Sequence, residues 1–261
     1  MSGVPTSIHL GPLVFHTYGL GLAIAAYAAY AYAERRLRRH AINLRHFAAF
    51  TGLILVAGLV GARLAHVATN WSLYEHDLTR VFELWQGGIA SFGGIALGLA
   101  VGVLLVRRWW PDVTLLAFAD ALVPALVAGW ALGRVLGPQF MYQGGGHLTH
   151  QWFGLHYAGQ VGKRVPVPLI QGAEDGTLWA LLVGTERRFP RRFTGLITGL
   201  ALMIWGALRA LDEHFLLGQD SKSGSLGVQL AGVAMAIFGA AILLRAGRRA
   251  QTPLQEAVRE L

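Results

Sequence analysis

Long apolar runs separated by short polar and basic segments dominate this 261-residue chain. Because an α-helix rises about 1.5 Å per residue and the hydrocarbon core of a bilayer is about 30 Å thick, roughly 20 apolar residues form one membrane span. The runs that approach or exceed this length are 1–33, 47–62, 86–106, 113–132, 193–208 and 223–244. A seventh run, at 168–185, is interrupted by two acidic residues. The pattern predicts an all-α integral membrane protein, a bundle of about seven transmembrane helices.

Basic residues cluster after every second predicted span. The clusters contain 15 of the 22 lysines and arginines, at 35–45, 107–108, 187–192 and 245–259. Because short cytoplasmic loops of membrane proteins concentrate Arg and Lys, these clusters indicate the cytoplasmic side. The N-terminus is then outside and the C-terminus inside. Without a span at 168–185 the cluster at 187–192 would fall outside, so the topology requires this weaker span.

The composition favours lipid as the surrounding solvent. Hydrophobic residues make up 54% of the chain, and the mean hydropathy is +0.47. The net charge of +8 suits either nucleic acid or an anionic membrane surface. Its placement between apolar runs favours the membrane, so no nucleic-acid partner is expected. No basic segment precedes the first apolar run, and a removable signal peptide is therefore not expected.

The absence of cysteine limits the chemistry of the chain. With no thiol present, disulfides, thiolate metal sites and a cysteine nucleophile are excluded. Any thiol chemistry must therefore involve a thiol of the substrate. We expect neither a metal ion nor another cofactor.

One polar segment, 137–164, is long enough to form a separate feature within a single transmembrane domain, 1–261. It is rich in Gly, His and Gln, and the predicted topology puts it on the outer face. Two alternatives remain open, a small extracytoplasmic head region and a disordered connector. The aromatic residues Trp152, Phe153 and Tyr157 favour a packed segment.

Three arginines lie near the outer ends of predicted spans, where a buried charge is costly. They are Arg63, Arg134 and Arg209. A single arginine at such a depth can extend its charged end to the lipid headgroups. Three at similar depth favour a site for an anion, because guanidinium groups bind phosphate through two parallel hydrogen bonds and stay charged when half buried. A lipid phosphate is the natural ligand.

Two acidic residues and a run of glycines accompany these arginines. Glu213 follows Arg209 by four residues, which places both on one face of a helix, either as a simple ion pair or as part of a site. Asp120 can pair with an arginine or with polar backbone. The glycine-rich run 87–94 permits either close helix contact or a lipid chain against the backbone.

Seven short motifs follow one another over nearly the whole chain. They are Leu10-Gly11-Pro12-Leu13 with Thr17-Tyr18-Gly19-Leu20, Val60-Gly61-Ala62-Arg63-Leu64, Trp85-Gln86-Gly87-Gly88, Gly93-Gly94, Asp120-Ala121-Leu122-Val123-Pro124-Ala125 before Gly133-Arg134, Arg209 with Glu213, and Gly227-Val228-Gln229-Leu230. No motif is specific alone. In this order, they make the chain resemble the prolipoprotein diacylglyceryl transferase family.

The chain departs from the family pattern at several polar positions. Phe92 stands where the family has a histidine before Gly-Gly, and Trp205 stands where a tyrosine precedes the second arginine. The signature asparagine has no direct counterpart, and Gln139 lies in a shifted Gly137-Pro138-Gln139-Phe140 segment. The family element His-Pro-x-Gln-Leu-Tyr-Glu corresponds to 165–171, where most polar members are replaced by apolar or neutral residues.

The resemblance implies transfer of the diacylglyceryl group of phosphatidylglycerol to the cysteine thiol of a prolipoprotein, at the outer side of the bacterial cytoplasmic (inner) membrane. The implied partners are phosphatidylglycerol or a related anionic lipid, the lipobox segment of a preprolipoprotein, and the membrane. The implied catalytic residues are Arg134, Arg209 and Glu213. The implied substrate-binding residues are Tyr18, Arg63, Gly93, Gly94, Gly133 and Gln139.

The departures leave a second hypothesis open, a non-catalytic or re-purposed lipid-binding relative that keeps the phosphate site. Phe92 cannot accept a proton, and the other histidines are alternatives for that role: His16, His66, His147, His150 and His156. A thiol also ionises at about pH 8.5 unaided, so cationic surroundings can make a base dispensable. The missing histidine favours the binding relative. The retained Arg209 and Glu213 favour the transferase, which is the interpretation adopted.

Overall fold

The structure is a computed structural model that describes residues 7–10, 13–83, 88, 90–140, 142–189, 193–215 and 222–259. Within these residues it has two short β-strands and seven α-helices. They are β1 (Ser7–Leu10), β2 (Leu13–His16), α1 (Thr17–Arg39), α2 (Phe47–Thr69), α3 (Ser91–Trp109), α4 (Leu115–Leu136), α5 (Val167–Arg188), α6 (Leu196–Phe215) and α7 (Lys222–Arg259). The chain is therefore mainly helical, as predicted.

The first predicted span is too long at its N-terminal end. β1 and β2 form an antiparallel hairpin with Leu10 opposite Leu13, and α1 begins only at Thr17. The absence of charge in 1–33 is compatible with a helix throughout. The Gly11-Pro12 sequence between the strands disfavours one, because glycine lowers helix stability and proline lacks an amide hydrogen.

Among the described residues, four helices are long and apolar enough to cross a membrane. They are Phe47–Thr69, Phe92–Trp109, Leu115–Leu136 and Leu226–Gly247. The chain is therefore a multi-pass membrane protein. The other helices are less apolar, because α1 is rich in Ala and Tyr, and α5 and α6 contain acidic residues. The total of seven spans stays a prediction.

The helices form two compact units. One comprises Leu37–Phe118, with α2, α3 and the start of α4. The other comprises Met1–Arg36 and Ala119–Leu261, with most of α1, the rest of α4, and α5 to α7. The single transmembrane domain over 1–261 stays a prediction.

In the unit Leu37–Phe118, α2 and α3 pack against each other through glycines. A Cβ atom placed on Gly61 would collide with the carbonyl oxygen of Gly93. One placed on Gly94 would lie 2.8 Å from the carbonyl oxygen of Gly58. Small residues at the crossing therefore let the two backbones touch, as is common between membrane helices.

In the other unit, glycines also join α6 to α7. A Cβ atom on Gly206 would lie 2.5 Å from the carbonyl oxygen of Gly232, and one on Gly199 would lie 3.1 Å from that of Gly239. Buried side chains of α4, α5 and α6 form the core of the unit: Val127, Leu178, Leu182, Ile197 and Ala201. This core fixes the three helices that carry the polar residues of the candidate site.

Asp120 on α4 binds the N-terminal end of α6. Its carboxylate accepts hydrogen bonds from the backbone nitrogens of Gly195 (2.7 Å) and Thr198 (2.8 Å) and from the Thr198 hydroxyl (2.6 Å). The first amides of a helix have no partner within the helix, so a carboxylate placed there satisfies them and matches the helix dipole. Of the two partners predicted for Asp120, the structure has the polar backbone.

Arg36, near the end of α1, is buried beside Asp120. It forms an ion pair with Glu186 of α5 at 2.8 Å and donates to the backbone carbonyl of Ala121 at 2.7 Å. Because a buried charge without partners is costly, these contacts tie α1, α4 and α5 together at one end.

The polar segment between α4 and α5 is packed on itself. The backbone nitrogen of Gly146 donates to Val165 at 2.9 Å, and that of Thr149 donates to Lys163 at 2.9 Å. Tyr157 is buried. Between the two alternatives for 137–164, this bonding favours an ordered segment over a disordered connector. Its position as a head on the outer side stays a prediction.

Candidate functional site

Arg134 lies in the last turn of α4 and is held on two sides. The centre of its guanidinium group lies 5.5 Å from the centroid of the Trp130 ring. Gly172 lets α5 come close, since a Cβ atom there would lie 2.7 Å from Val135 Cγ2 and 3.6 Å from Arg134 Cβ. The Nε atom of Arg134 is buried and has no hydrogen-bond partner in the described part of the chain. This donor is therefore available to a bound anion.

Arg209 on α6 pairs with Glu213, and 3.0 Å separates Nη2 from Oε2. The pair is partly shielded, because the Glu213 side chain is only 12% exposed. One turn before Arg209, the ring of Trp205 meets Trp130 edge to face at 5.6 Å. This contact joins α6 to α4, and the charges of Arg134 and Arg209 act on each other. The two arginines therefore lie in one region, whereas a shared cavity stays a prediction.

Acidic and amide side chains of α5 and α6 surround this region. Gln171 donates to Asp212 through Nε2 and Oδ2 at 2.8 Å, and both side chains are buried. The charges of Asp175 and Asp212 act on Arg134. Glu174 lies close enough to Asp212 for their charges to interact, and Asp175 lies beside Trp205. The arginines therefore belong to a polar network that spans α4, α5 and α6.

The charge balance of this network differs from a purely cationic phosphate site. Two arginines face four carboxyl groups, those of Glu174, Asp175, Asp212 and Glu213. A phosphate that binds here must compete with these carboxyl groups for the guanidinium donors. The carboxyl groups in turn provide proton acceptors beside the arginines.

Sequence reasoning missed Gln171 and Asp212 as members of the site. A signal exists, because Asp212 follows Arg209 by three residues and Asp175 follows Gln171 by four, spacings that share one helix face. These spacings do not reveal that the two faces meet each other.

Arg63 has a different environment from that of Arg134. It lies in the other unit, and α2 continues beyond it to Thr69. Its side chain is buried, and it donates to the backbone carbonyls of Arg80, Val81 (2.9 Å), Glu83 (3.4 Å) and Gly88 (2.8 Å). All three of its guanidinium nitrogens thus donate to backbone. These contacts hold the segment after α2. The predicted contact of Arg63 with substrate stays a prediction.

The segment after α2 has further internal bonds. Asp77 accepts hydrogen bonds from the hydroxyl and backbone nitrogen of Thr79, and these hold the pKa of the Asp77 carboxyl below its usual value. His66 packs near Arg63, and a Cβ atom on Gly88 would lie 2.6 Å from His66 Nε2. His66, one of the histidines considered as proton acceptors, therefore lies beside Arg63.

The other predicted residues of α3 take part in helix packing or face outward. Gly93 and Gly94 touch α2, so the structure uses them for helix contact, one of the two roles considered. Phe92 is 59% exposed. Contact of these glycines with a lipid chain stays a prediction.

Two of the remaining predicted residues lie near Arg134. Tyr18, in the first turn of α1, interacts electrostatically with Arg134. Gly133 is buried where α4 meets α1, and a Cβ atom placed on it would lie 3.7 Å from Leu22 Cδ2. Gln139 lies in a short 3-10 helix, Pro138–Phe140, and its side chain is outside the described part. In the ranges the structure describes, no three His, Asp or Glu side chains form a metal-binding group.

The chain matches known proteins over almost its whole length. Residues 5–245 match the sequence model of the family described as prolipoprotein diacylglyceryl transferase. A phosphatidylglycerol-prolipoprotein diacylglyceryl transferase from Cupriavidus metallidurans is 30% identical over 94% of each chain. The protein of that name from Methylibium petroleiphilum is 30% identical over 94% of this chain and 97% of the relative.

Other alignments are shorter. The relative of the same name from Cutibacterium acnes is 33% identical over 49% of this chain and 44% of its own length. In this and similar alignments, the chain spans about half the length of the relatives it matches.

Proposed function

Because the chain belongs to the prolipoprotein diacylglyceryl transferase family, we propose that it transfers the diacylglyceryl group of phosphatidylglycerol to the cysteine thiol of a prolipoprotein. The observation that carries this proposal is that Arg134 and Arg209 lie in one polar network. In the described chain, Nε of Arg134 has no hydrogen-bond partner. A phosphate with two or more anionic oxygens is the ligand that such donors fit. The thiol belongs to the acceptor, since the chain has no cysteine.

In the proposed reaction, the sulfur of the acceptor attacks the glycerol carbon that carries the phosphate. The bond between this carbon and the phosphate oxygen breaks, and glycerol phosphate leaves with the electron pair. Arg134 and Arg209 stabilise the negative charge of the departing phosphate, and Glu213 holds Arg209 in position. The new carbon–sulfur bond completes the transfer.

The proton of the acceptor thiol needs a destination, which Phe92 cannot provide. We assign this role to Asp212, because its buried carboxylate is oriented by the amide of Gln171 and acts on Arg134. A positioned general base contributes about 10²- to 10⁴-fold to a rate limited by proton transfer. Placing the base beside the arginines brings proton transfer and leaving-group stabilisation into one network.

The orientation in the membrane is also a proposal. We infer seven spans in the bacterial inner membrane, with the N-terminus outside, the C-terminus in the cytoplasm and 137–164 as an extracytoplasmic head. Reporter fusions after Arg39, Arg108, Arg191 and Arg249 should all read cytoplasmic. An outside reading at Arg191 would remove the fifth span.

The alternative, a lipid-binding relative without turnover, has one observation in its favour, the absence of the histidine at Phe92. The transferase is preferred because the carboxylates around Arg134 supply other proton acceptors. A binding relative has no need of an acceptor beside its phosphate site.

One experiment separates these functions. The full chain is reconstituted in bilayers that contain phosphatidylglycerol, and release of glycerol phosphate is measured with a synthetic lipobox peptide. We expect turnover that is abolished in Arg134→Ala and kept in Arg108→Ala, an exposed arginine at the end of α3. Lipid binding without turnover in the unmodified chain would establish the binding relative. Full turnover in Arg134→Ala would remove the phosphate role of Arg134.

A complementation test extends this result to cells. In a strain depleted of its own enzyme, the chain should restore lipid modification of a reporter lipoprotein. The Arg134→Ala chain should not do so at the same level of membrane expression.

A further inference from the structure

The ordered segment between α4 and α5 presents two unusually exposed apolar side chains. Trp152 is 88% exposed and Val161 is 86% exposed, the highest values among the large apolar residues of the described chain. They stand out because neither lies on an apolar membrane helix, where exposure to lipid is expected. Both lie in a polar segment that folds on itself.

Backbone pairing gives this segment a base and a tip. At the base, Val165 bonds to Gly146 and His147, two residues before α5 begins. The next bond outward joins Thr149 to Lys163. Beyond this bond the chain turns twice, at 151–154, where Gly154 donates to Gln151, and at 157–160, where Gln160 donates to Tyr157. The second turn also bonds to Gln143 and Gly145, close to the end of α4. These two turns are the tip; Trp152 lies in the first, and Val161 directly follows the second.

The tip is shaped by glycines and short contacts. Gly162 has φ +75°, in the left-handed region that favours glycine. A Cβ atom on Gly154 would lie 3.0 Å from Lys163 Cβ, which brings the turn that carries Trp152 against the basic strand. The two apolar side chains are thus displayed on a defined structure.

The charge of the segment matches an anionic surface. Residues 137–165 contain no Asp or Glu, whereas Lys163 and Arg164 are basic. Apolar side chains at the tip with cations beside them are typical of segments that lie in the headgroup layer of anionic lipids.

The segment is also within reach of a bilayer. It follows α4, one of the helices apolar enough to span, and its base adjoins the first residues of α5. The ladder from base to tip is about three residues, or about 10 Å. The headgroup layer on each side of the hydrocarbon core is roughly 5–8 Å thick. A ladder of this length can lay its tip into that layer.

We propose that the tip of this segment is a membrane anchor, with Trp152 and Val161 inserted among the headgroups of an anionic bilayer and Lys163 bound to lipid phosphate. Tryptophan prefers this interfacial layer, because its ring is apolar and its N–H finds polar partners there. The anchor is independent of the transfer reaction.

The absence of cysteine allows a direct test. Single cysteines are introduced by Trp152→Cys, Val161→Cys and, as a control, His76→Cys, and each is labelled with a nitroxide in the full chain. His76 is a matched control, because its side chain is also 88% exposed but lies in the other unit, beside Glu75 and Asp77. Each chain is reconstituted in nanodiscs with phosphatidylglycerol, and collision of the label with oxygen and with a nickel chelate is measured.

Oxygen concentrates in apolar layers, whereas the polar chelate is excluded from them. We expect the ratio of oxygen to chelate accessibility to be roughly threefold or more higher at positions 152 and 161 than at 76. Adding Lys163→Gln to each labelled chain should lower this ratio in phosphatidylglycerol nanodiscs and leave it unchanged in phosphatidylcholine nanodiscs.

Equal ratios at positions 152, 161 and 76 would overturn the anchor. A label at 152 that stays accessible to the chelate in lipid, but is immobilised when a lipobox peptide is added, would also overturn it in favour of a peptide surface. The labels report only the depth of the tip in the bilayer, so the result does not depend on whether the chain has transferase activity. The anchor and the proposed function can therefore fail separately.

Discussion

Arg63 and Arg134 follow small residues in similar sequences, Gly61-Ala62-Arg63 and Gly133-Arg134, yet they have opposite environments. Arg63 donates to backbone carbonyls of the segment after α2. Arg134 faces a tryptophan ring and carboxylates, with Nε unpaired in the described chain. A buried guanidinium with its donors used by backbone stabilises a fold. A buried guanidinium with an unpaired donor and charged side chains as neighbours can accept a ligand.

Depth in a membrane therefore does not by itself identify a functional arginine. Both residues place a charge near the end of an apolar helix, where it is costly, and both have polar groups nearby. What differs is whether those partners can be exchanged. Backbone carbonyls are fixed by the chain, whereas a carboxylate can release its partner to an incoming phosphate.

The largest expected effect comes from Arg134→Lys. Lysine keeps the charge but loses the planar fork, so phosphate loses its paired hydrogen bonds in the transition state. We expect kcat/KM for phosphatidylglycerol to fall about 10²- to 10³-fold with little change in thermal stability. Arg63→Lys is the matched variant, and it should change turnover per folded molecule by less than about tenfold in the same assay, which is about 1.4 kcal/mol in the barrier. Equal losses of turnover in the two variants would show that Arg134 and Arg63 do not differ in their contribution to catalysis.

Arg63→Gln should have the largest effect on stability. It leaves backbone carbonyls without their donors, which we expect to lower the free energy of unfolding by about 3 kcal/mol. Thermal unfolding in detergent, followed by circular dichroism, measures this loss. Arg209→Gln is the comparison variant, because it removes one partly shielded ion pair, with Glu213, and should lower the free energy of unfolding by about 1.5 kcal/mol. If Arg63→Gln unfolds at the same temperature as the unmodified chain, its structural role is wrong.

Asp212→Asn tests whether the carboxylates around Arg134 take part in chemistry. With one competing carboxylate removed, phosphatidylglycerol should bind more tightly, so KM falls, while loss of the proton acceptor lowers kcat by about 10²-fold. The double variant Gln171→Glu with Asp212→Asn keeps a carboxyl–amide pair between α5 and α6. It should recover part of the lost kcat. A change in stability with kcat and KM both unaltered would leave Asp212 a purely structural residue.

Phe92→His should have the smallest effect. The position is exposed, so the change costs little stability. If the chain is a transferase, turnover should be preserved or raised, since a second base can only add a route for the thiol proton. If it is a binding relative, turnover stays at background. Steady-state rates across pH for both chains check this, and a drop in turnover on adding the histidine would contradict the assignment.

Hydrophobic runs predict most of the helices, because each span needs a minimum apolar length. The run at 168–185 corresponds closely to α5 (Val167–Arg188), even with two acidic residues inside it. The ends are less visible. α6 (Leu196–Phe215) passes the charged Arg209 because packing against α7 continues beyond it, and the hairpin before Thr17 resembles an apolar helix by composition alone.

The candidate site is only half visible in the sequence. Spacing predicts that Arg209 and Glu213 share a face, and their ion pair confirms this local pairing. The bond between Gln171 and Asp212 joins two helices, and no spacing within one helix predicts it. The carbonyls that hold Arg63 lie 17 to 25 residues further along the chain, and no spacing within α2 predicts these contacts. The family assignment is confirmed, because it rests on the order of many motifs over the whole chain.

The carboxylate of Asp120 at the start of α6 has a mechanical consequence. Arg209 lies 13 residues beyond Leu196 along that helix, a distance of about 20 Å. An α-helix hardly shortens or lengthens under load, since each turn is braced by its own hydrogen bonds. Fixing its first turn to α4 therefore fixes the axial position of every residue that follows. The height at which Arg209 presents its charge is set at the far end of the helix, by a carboxylate that accepts hydrogen bonds from Gly195 and Thr198.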